Sequence, residues 1–155
     1  MKNRIYIAYG SNMDINQMSV RCPAAEVLCI SEINNYELLF KGSEAAAYAT
    51  IEKKIDSKVP VVLWNITESD EKNLDKYEGY PSFYYKKNFN VSVNGKPKVA
   101  MAYIMDEKRS FGKPRYEYFK LLKAAYLKFG FDTDIIEKAL EISVANRKKL
   151  PTEKS

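Results

Sequence analysis

The 155-residue chain contains no histidine. That absence removes the Ser-His-Asp and Cys-His nucleophilic arrangements and every zinc site built on imidazole. Cysteine is scarce: Cys22 and Cys29 are the only two, and they do not form a CxxC pair. Buried free thiols in a reducing compartment are a simpler reading of them than a metal or redox centre. No cofactor and no metal are expected. No stretch reaches the ~20 apolar residues needed to cross a bilayer, and the start of the chain lacks the charged segment and apolar run of a signal peptide. The expectation is a cytoplasmic protein with no membrane partner. Charge of one sign is not concentrated either. The 25 basic and 20 acidic residues leave a net +5, a balance that favours anionic ligands, but the basic residues are dispersed. Nucleic acid is therefore not an expected partner, because its surfaces need a continuous basic stripe interleaved with aromatics. The densest basic run, Arg147-Lys148-Lys149, reads as a solvated helix end.

What the chain has in quantity is aromatic side chains: twelve Tyr, seven Phe and one Trp. They fill a β-rich core with Tyr at its wet margins, or they line a pocket; the residue types alone leave both readings open. At 46% hydrophobic and 29% charged residues, the composition is that of a folded globular chain. The length suits one domain, over residues 1–150, with 151–155 as a frayed, disordered tail.

The chain opens on a strand. Ile5, Ile7 and Tyr9 alternate, and the run breaks on Gly10-Ser11-Asn12, small or polar residues able to offer backbone N–H groups to a ligand. Asp14 is placed to cap a short helix to about Val20, which Pro23 stops. Arg21 is then either a surface charge or a brace for the first loop through backbone carbonyls. From Val27 the sequence reads as short strands separated by polar breaks: Tyr36–Phe40, Ala45–Ile51 and Val59–Ile66, with turn signals at Gly42-Ser43 and Asp56-Ser57.

Thr67-Glu68-Ser69-Asp70 changes the period. Thr67 is an N-cap with Asp70 three residues on, Leu74 and Tyr77 or Glu78 share a face, and Gly79 followed by Pro81 ends the helix. Glu78 thus falls in the last turn, the unfavourable end of the helix dipole for a carboxylate. If Tyr77, Tyr80 and Phe83 also screen it from water, its pKa rises toward that of a general base near neutral pH. The competing reading is an ordinary exposed glutamate. Tyr84–Val93 and Lys98–Met105 flank Asn94-Gly95, a strong hairpin signal; Tyr85 and Tyr103 can lie near one another across or beside this hairpin, its register left open by the sequence. Two amphipathic helices follow: Tyr116–Phe129, closed by Gly130, and a second with Ile135, Ile136, Ala139, Leu140 and Val144 on one face. Such stripes pack on sheets more often than they form sites.

Tyr9-Gly10-Ser11-Asn12 after an N-terminal strand, followed much later by Leu74-Asp75-Lys76-Tyr77-Glu78-Gly79, resembles the gamma-glutamylcyclotransferase-like superfamily, including its AIG2-like branch. Arg21-Cys22-Pro23, the Trp64 strand, Tyr85 and Tyr103 extend the resemblance over residues 5–140. It implies an α+β single domain, a small mixed β-barrel-like sheet flanked by helices. It also implies a cyclotransferase that releases 5-oxoproline and a free amine from a gamma-glutamyl amino acid or amine. By that resemblance Glu78 is the acid–base residue, and Tyr9, Gly10, Ser11 and Asn12 cradle the gamma-glutamyl group, with Tyr85 and Tyr103 beside the ligand. The chain departs from the family's frequent glycines at Tyr48 and Val61, so bulk there either reshapes the pocket or repacks the core. The alternative is a non-catalytic relative that binds a small carboxylate or a partner protein. Either a monomer or a homodimer fits, since the sequence does not say which apolar faces stay exposed.

Overall fold

The computed structural model describes residues 3–147; the tail expected over 151–155 lies outside them. Five strands form one sheet, β1 (Arg4–Ala8), β2 (Glu26–Lys41), β3 (Tyr48–Ile66), β4 (Tyr84–Val93) and β5 (Lys96–Met105), in the order β2-β3-β1-β5-β4. The sheet is mixed: β1 runs antiparallel to β3 and parallel to β5. Its two outer strands curl toward each other, since Ser31 Oγ donates to the Ser92 carbonyl at 3.0 Å and Tyr36 meets Phe89 edge-on at 5.1 Å. This near-closure gives the expected barrel-like α+β domain. The helices α1 (Ile15–Arg21), α2 (Glu68–Glu78), α3 (Tyr116–Phe129) and α4 (Asp134–Asn146) flank it. No helix among the described residues is long and apolar enough to cross a membrane.

The opening strand is more central than its alternation suggests. Tyr6, Ile7, Ala8 and Tyr9 are all buried, because β1 lies between two strands and is covered on both faces. The expected short strands of the next segment are instead two long ones. β2 and β3 pair from Lys41↔Tyr48 to Glu26↔Asn65, and Asp56-Ser57 is no hairpin turn. It is part of a bulge in which residues 54–57 of β3 stand opposite Asn35, between the pairs Tyr36↔Lys53 and Asn34↔Lys58. Asn35 (φ 63°) and Asp56 (φ 69°) both take the left-handed conformation, which these residue types tolerate, and the Asp56 N–H donates to Asn35 Oδ1 at 3.1 Å. Residues predicted as a break thus bend a continuous ribbon. Ala45–Ala47 belong to the preceding loop rather than to the strand.

That loop is fastened to the segment after β5 by backbone bonds, including Gly42 N–H to the Ser110 carbonyl and Ala47 N–H to the Lys113 carbonyl. Lys41, buried despite its charge, is held by Glu52 at 2.6 Å and by the Glu107 carbonyl at 2.9 Å. These ties fix where Tyr48 begins β3. The helix signals are local and correspond closely to what forms. Asp14 caps α1 by accepting from Gln17 N–H, Thr67 and Asp70 form a reciprocal capping box on α2, and Gly79 ends it at φ 63°. Asn94-Gly95 turns the β4–β5 hairpin with both residues at positive φ.

The apolar face of α4 lies on β2, and Ser143, fully buried, accepts the Phe40 N–H at 2.9 Å. The hydroxyl satisfies a backbone donor on an outer strand that would otherwise be buried without an acceptor. Ser143→Ala is expected to lower stability by about 1–3 kcal/mol in urea unfolding, with accelerated hydrogen exchange at the Phe40 amide.

Candidate active site

A cavity of about 410 Å³ opens where the end of β1, the C-terminal turn of α2 and the face of α3 converge. Its floor is the 3-10 turn Ser11–Met13, entered through Gly10. In this turn Met13 N–H is bonded to the Gly10 carbonyl and Asp14 N–H to the Ser11 carbonyl. The preceding amides, on Ser11 and Asn12, have no acceptor within the turn, as is usual at the start of any helical turn. Gly10 must be small, because a Cβ there would stand 3.2 Å from the Tyr118 hydroxyl and 3.4 Å from Ala49 Cβ.

Asn12 contributes more than its amide. Its side chain is buried (3% exposed); Nδ2 donates to the Tyr6 hydroxyl at 2.9 Å and to Glu78 Oε1 at 3.3 Å. Oδ1 accepts from Arg21 at 2.8 Å and, more weakly, from Gln17 at 3.4 Å. Arg21 therefore braces the first loop, as one reading of the sequence held, but through the Asn12 side chain instead of backbone carbonyls. Its guanidinium also lies over the Tyr77 ring, 4.4 Å from the centroid.

Glu78 faces this cavity from the last turn of α2, on the Leu74 side of the helix. Burial pushes its carboxyl up to about 7, and the positive charge of Arg21 only partly opposes the rise. The screening differs from the expected set. Tyr77 is 57% exposed at the rim, and Tyr80 lies outside the cavity, under the Lys86 ammonium at 4.3 Å. Phe83 does line it, and Tyr6, Tyr9 and Tyr84 are among the other rings that enclose it. Burial raises the hydroxyls of these three tyrosines well above 10, so they stay neutral phenols. Cys22 is pushed up to about 12 by burial, and its thiol donates to the Asp70 carbonyl; Cys29 is only partly buried and also free.

Of the residues singled out from sequence, Tyr9, Gly10, Ser11, Asn12, Arg21, Glu78 and Tyr103 meet around one cavity. Tyr9 donates to the Tyr103 carbonyl, and the Tyr103 hydroxyl donates to Asp75 at 2.5 Å. Tyr85 does not join them. It is 41% exposed and pairs with Ile104, while its neighbour Tyr84 points inward and donates to the Ala49 carbonyl at 2.8 Å. Successive strand residues face opposite ways, so an error of one position exchanges the cavity for solvent. Sequence reasoning also missed Tyr6 and Tyr118. Tyr118 lies on the apolar stripe of α3, which was assigned to sheet packing; its hydroxyl accepts the Ala49 N–H at 3.0 Å. Of the two bulky departures, Tyr48 lines the cavity and Val61 is buried in the core.

The cavity thus brings together a partly buried carboxyl raised to about 7 and a small-residue loop whose Ser11 and Asn12 amides have no acceptor within the turn. The chain belongs to the gamma-glutamyl cyclotransferase, AIG2-like family of enzymes, whose family model matches residues 6–120. Human gamma-glutamylcyclotransferase is 28% identical over 127 residues, 76% of this chain and 67% of that protein. The mouse gamma-glutamylcyclotransferase is 30% identical over the same shares. A solved gamma-glutamyl cyclotransferase shares the fold at TM-score 0.79 and 22% identity, covering 99% of this chain and 93% of that one. A yeast cyclotransferase described as specific to glutathione shares it at TM-score 0.63 and 12% identity, covering 93% of this chain and 98% of that one.

Arg21 lowers the Glu78 pKa, so Arg21→Met is expected to move it further upward, read by ¹³C NMR titration of the Glu78 carboxyl. A carboxyl raised from the ordinary 4.5 to about 7 binds its proton more tightly in the folded chain than in the unfolded one. The stability this contributes is complete below 4.5 and is lost as pH rises through about 7. Glu78→Gln, which never ionises, is expected to match the parent near pH 4.5 and to exceed it at pH 8, by on the order of 3 kcal/mol in urea unfolding.

Proposed function

We propose that the chain cyclises a gamma-glutamyl amino acid or amine to 5-oxoproline, with Glu78 as the single acid–base group. The observation that carries this reading is the Glu78 carboxyl, poised near neutrality at about 7 and hydrogen-bonded at 3.3 Å to the Asn12 side chain of the loop. The substrate brings its own nucleophile. Its α-amine closes a five-membered ring on the γ-carbonyl, so tethering replaces an enzymic Ser or Cys. Glu78 takes a proton from the α-ammonium; the amine nitrogen then forms a bond to the γ-carbon as the carbonyl electron pair moves onto its oxygen. Glu78 hands that proton to the leaving nitrogen, the oxyanion re-forms the carbonyl as the amide bond to that nitrogen breaks, and the ring nitrogen gives up its second proton to Glu78, which passes it to the departing amine so that it leaves as an ammonium.

The amides at Ser11 and Asn12 are suited to the substrate's carboxylate or to the oxyanion that develops on the γ-carbonyl. Tyr118 supports the same environment. Its hydroxyl oxygen is occupied by the Ala49 N–H, which leaves its proton for an acceptor in the cavity. The neutral phenols around the carboxyl enclose it without adding charge.

Glu78→Gln is expected to reduce kcat for 5-oxoproline release by about 10²–10⁴-fold while leaving KM within a few-fold. In the parent enzyme kcat/KM should rise with pH through about 7, because the base must be ionised. Unchanged kcat in Glu78→Gln would sink the assignment.

A further inference from the structure

We infer that the leaving amine of the substrate carries an uncharged aromatic group, seated against Tyr48, Phe83 and Tyr118. The inference rests on the proposed cyclisation and specifies its leaving-group class. The cavity lining has two chemically distinct parts. Among the described residues the cations lining it are Arg21 and Lys76, at the α1–α2 side with Tyr77. Elsewhere in the lining Tyr48, Phe83 and Tyr118 meet as one ring cluster, with Leu121 beside them on α3 and no charged side chain among the four.

The rings of this cluster are held in a fixed arrangement. Tyr48 meets Tyr118 edge-on at 5.3 Å and 90°, and Phe83 edge-on at 6.1 Å and 89°. Tyr48 stays 42% exposed at the mouth although it lines the cavity, so ring surface remains for a ligand to cover. Arg109 lies over the Phe83 ring at 4.4 Å, donates to the Ser82 carbonyl at 3.0 Å and does not line the cavity.

The substrate must meet the same two parts. Glu78 serves both the α-nitrogen and the leaving nitrogen, so the rest of the substrate extends from it in two directions. The α-carboxylate belongs with the loop amides and the cationic side, where Arg21 is bonded to Asn12. The leaving amine is then directed along the Gly10 side, where Tyr118 crosses the loop. A carboxylate or ammonium on that amine would find no charged side chain in this ring cluster to pair with. An aromatic ring instead gains contact with three rings and the Leu121 side chain.

The test compares kcat/KM for 5-oxoproline release from gamma-glutamyl-phenethylamide, gamma-glutamyl-methylamide and gamma-glutamylglycine. The phenethylamide is expected to exceed both others by about ten-fold or more. Tyr48→Ala should bring the phenethylamide-to-methylamide ratio close to one, and Tyr48→Phe, which keeps the ring, should retain it. Equal turnover of all three, or preference for the glycine compound, overturns the aromatic seat and leaves the cyclisation standing. Calorimetric binding of the same compounds to Glu78→Gln separates the two claims. If the parent enzyme releases no 5-oxoproline but this variant binds the phenethylamide ten-fold more tightly, the cyclisation falls and the seat stands. No turnover and no binding preference overturn both.

Discussion

The site depends on the buried side-chain amide of Asn12. Arg21 is a donor only, so the amide oxygen must face it and the NH₂ must face Tyr6 and Glu78. The orientation is decided by chemistry. Placing an amide between the guanidinium and the carboxyl has an electrostatic consequence. A direct Arg21–Glu78 ion pair would stabilise the carboxylate and hold its pKa below the ordinary range. With Asn12 between them, the guanidinium still lowers the pKa, but desolvation outweighs it and the carboxyl rises to about 7. An aspartate at this position would set a second negative charge beside Glu78 and give up the donor that reaches it.

The position of the Glu78 carboxyl is set by α2, and the helix is restrained at both ends. Its start is closed by the Thr67–Asp70 capping box, and its end by Gly79, whose N–H reaches the Asp75 and Lys76 carbonyls. Leu74 anchors one face in the core. On the other side Lys86 lies 2.6 Å from Glu71 and 3.1 Å from Asp75, and Tyr103 donates to Asp75. Partly exposed ion pairs of this kind contribute ~1 kcal/mol or less apiece. Their importance is geometric: they tie α2 to the β4–β5 hairpin, and Tyr103 carries the tie on to Tyr9 through its backbone carbonyl.

Features whose cause lies within a few residues were legible in the sequence. The capping box, the glycine after Glu78, the Asn94-Gly95 turn and the bounds of α3 each follow from local backbone chemistry. The β2–β3 ribbon was not legible, because Asn and Asp at positive φ serve a bulge as readily as a turn, and only pairing distinguishes them. Tyr84 and Tyr85 differ by strand parity, which is set by the partner strand β5. Tyr118 has the same sequence signature as a core residue. Its hydroxyl becomes part of the cavity only because α3 crosses the loop at Gly10. The motif residues of the site were legible by resemblance, whereas the side-chain role of Asn12 required the tertiary structure.

The missing histidine can now be given a physical counterpart. Imidazole is the usual group for proton transfer near neutral pH because its unperturbed pKa is already there. A carboxyl reaches the same range only when its charged form is penalised, and here burial supplies the penalty. This solution constrains the surroundings: a cation bonded directly to Glu78 would restore an ordinary carboxylate, and open solvent would do the same. Neutral tyrosines satisfy both conditions, since phenols raised well above 10 enclose the carboxyl without charge of either sign. If Glu78 moves the proton as proposed, burial among neutral tyrosines brings its carboxyl to the pH range that an imidazole would otherwise cover.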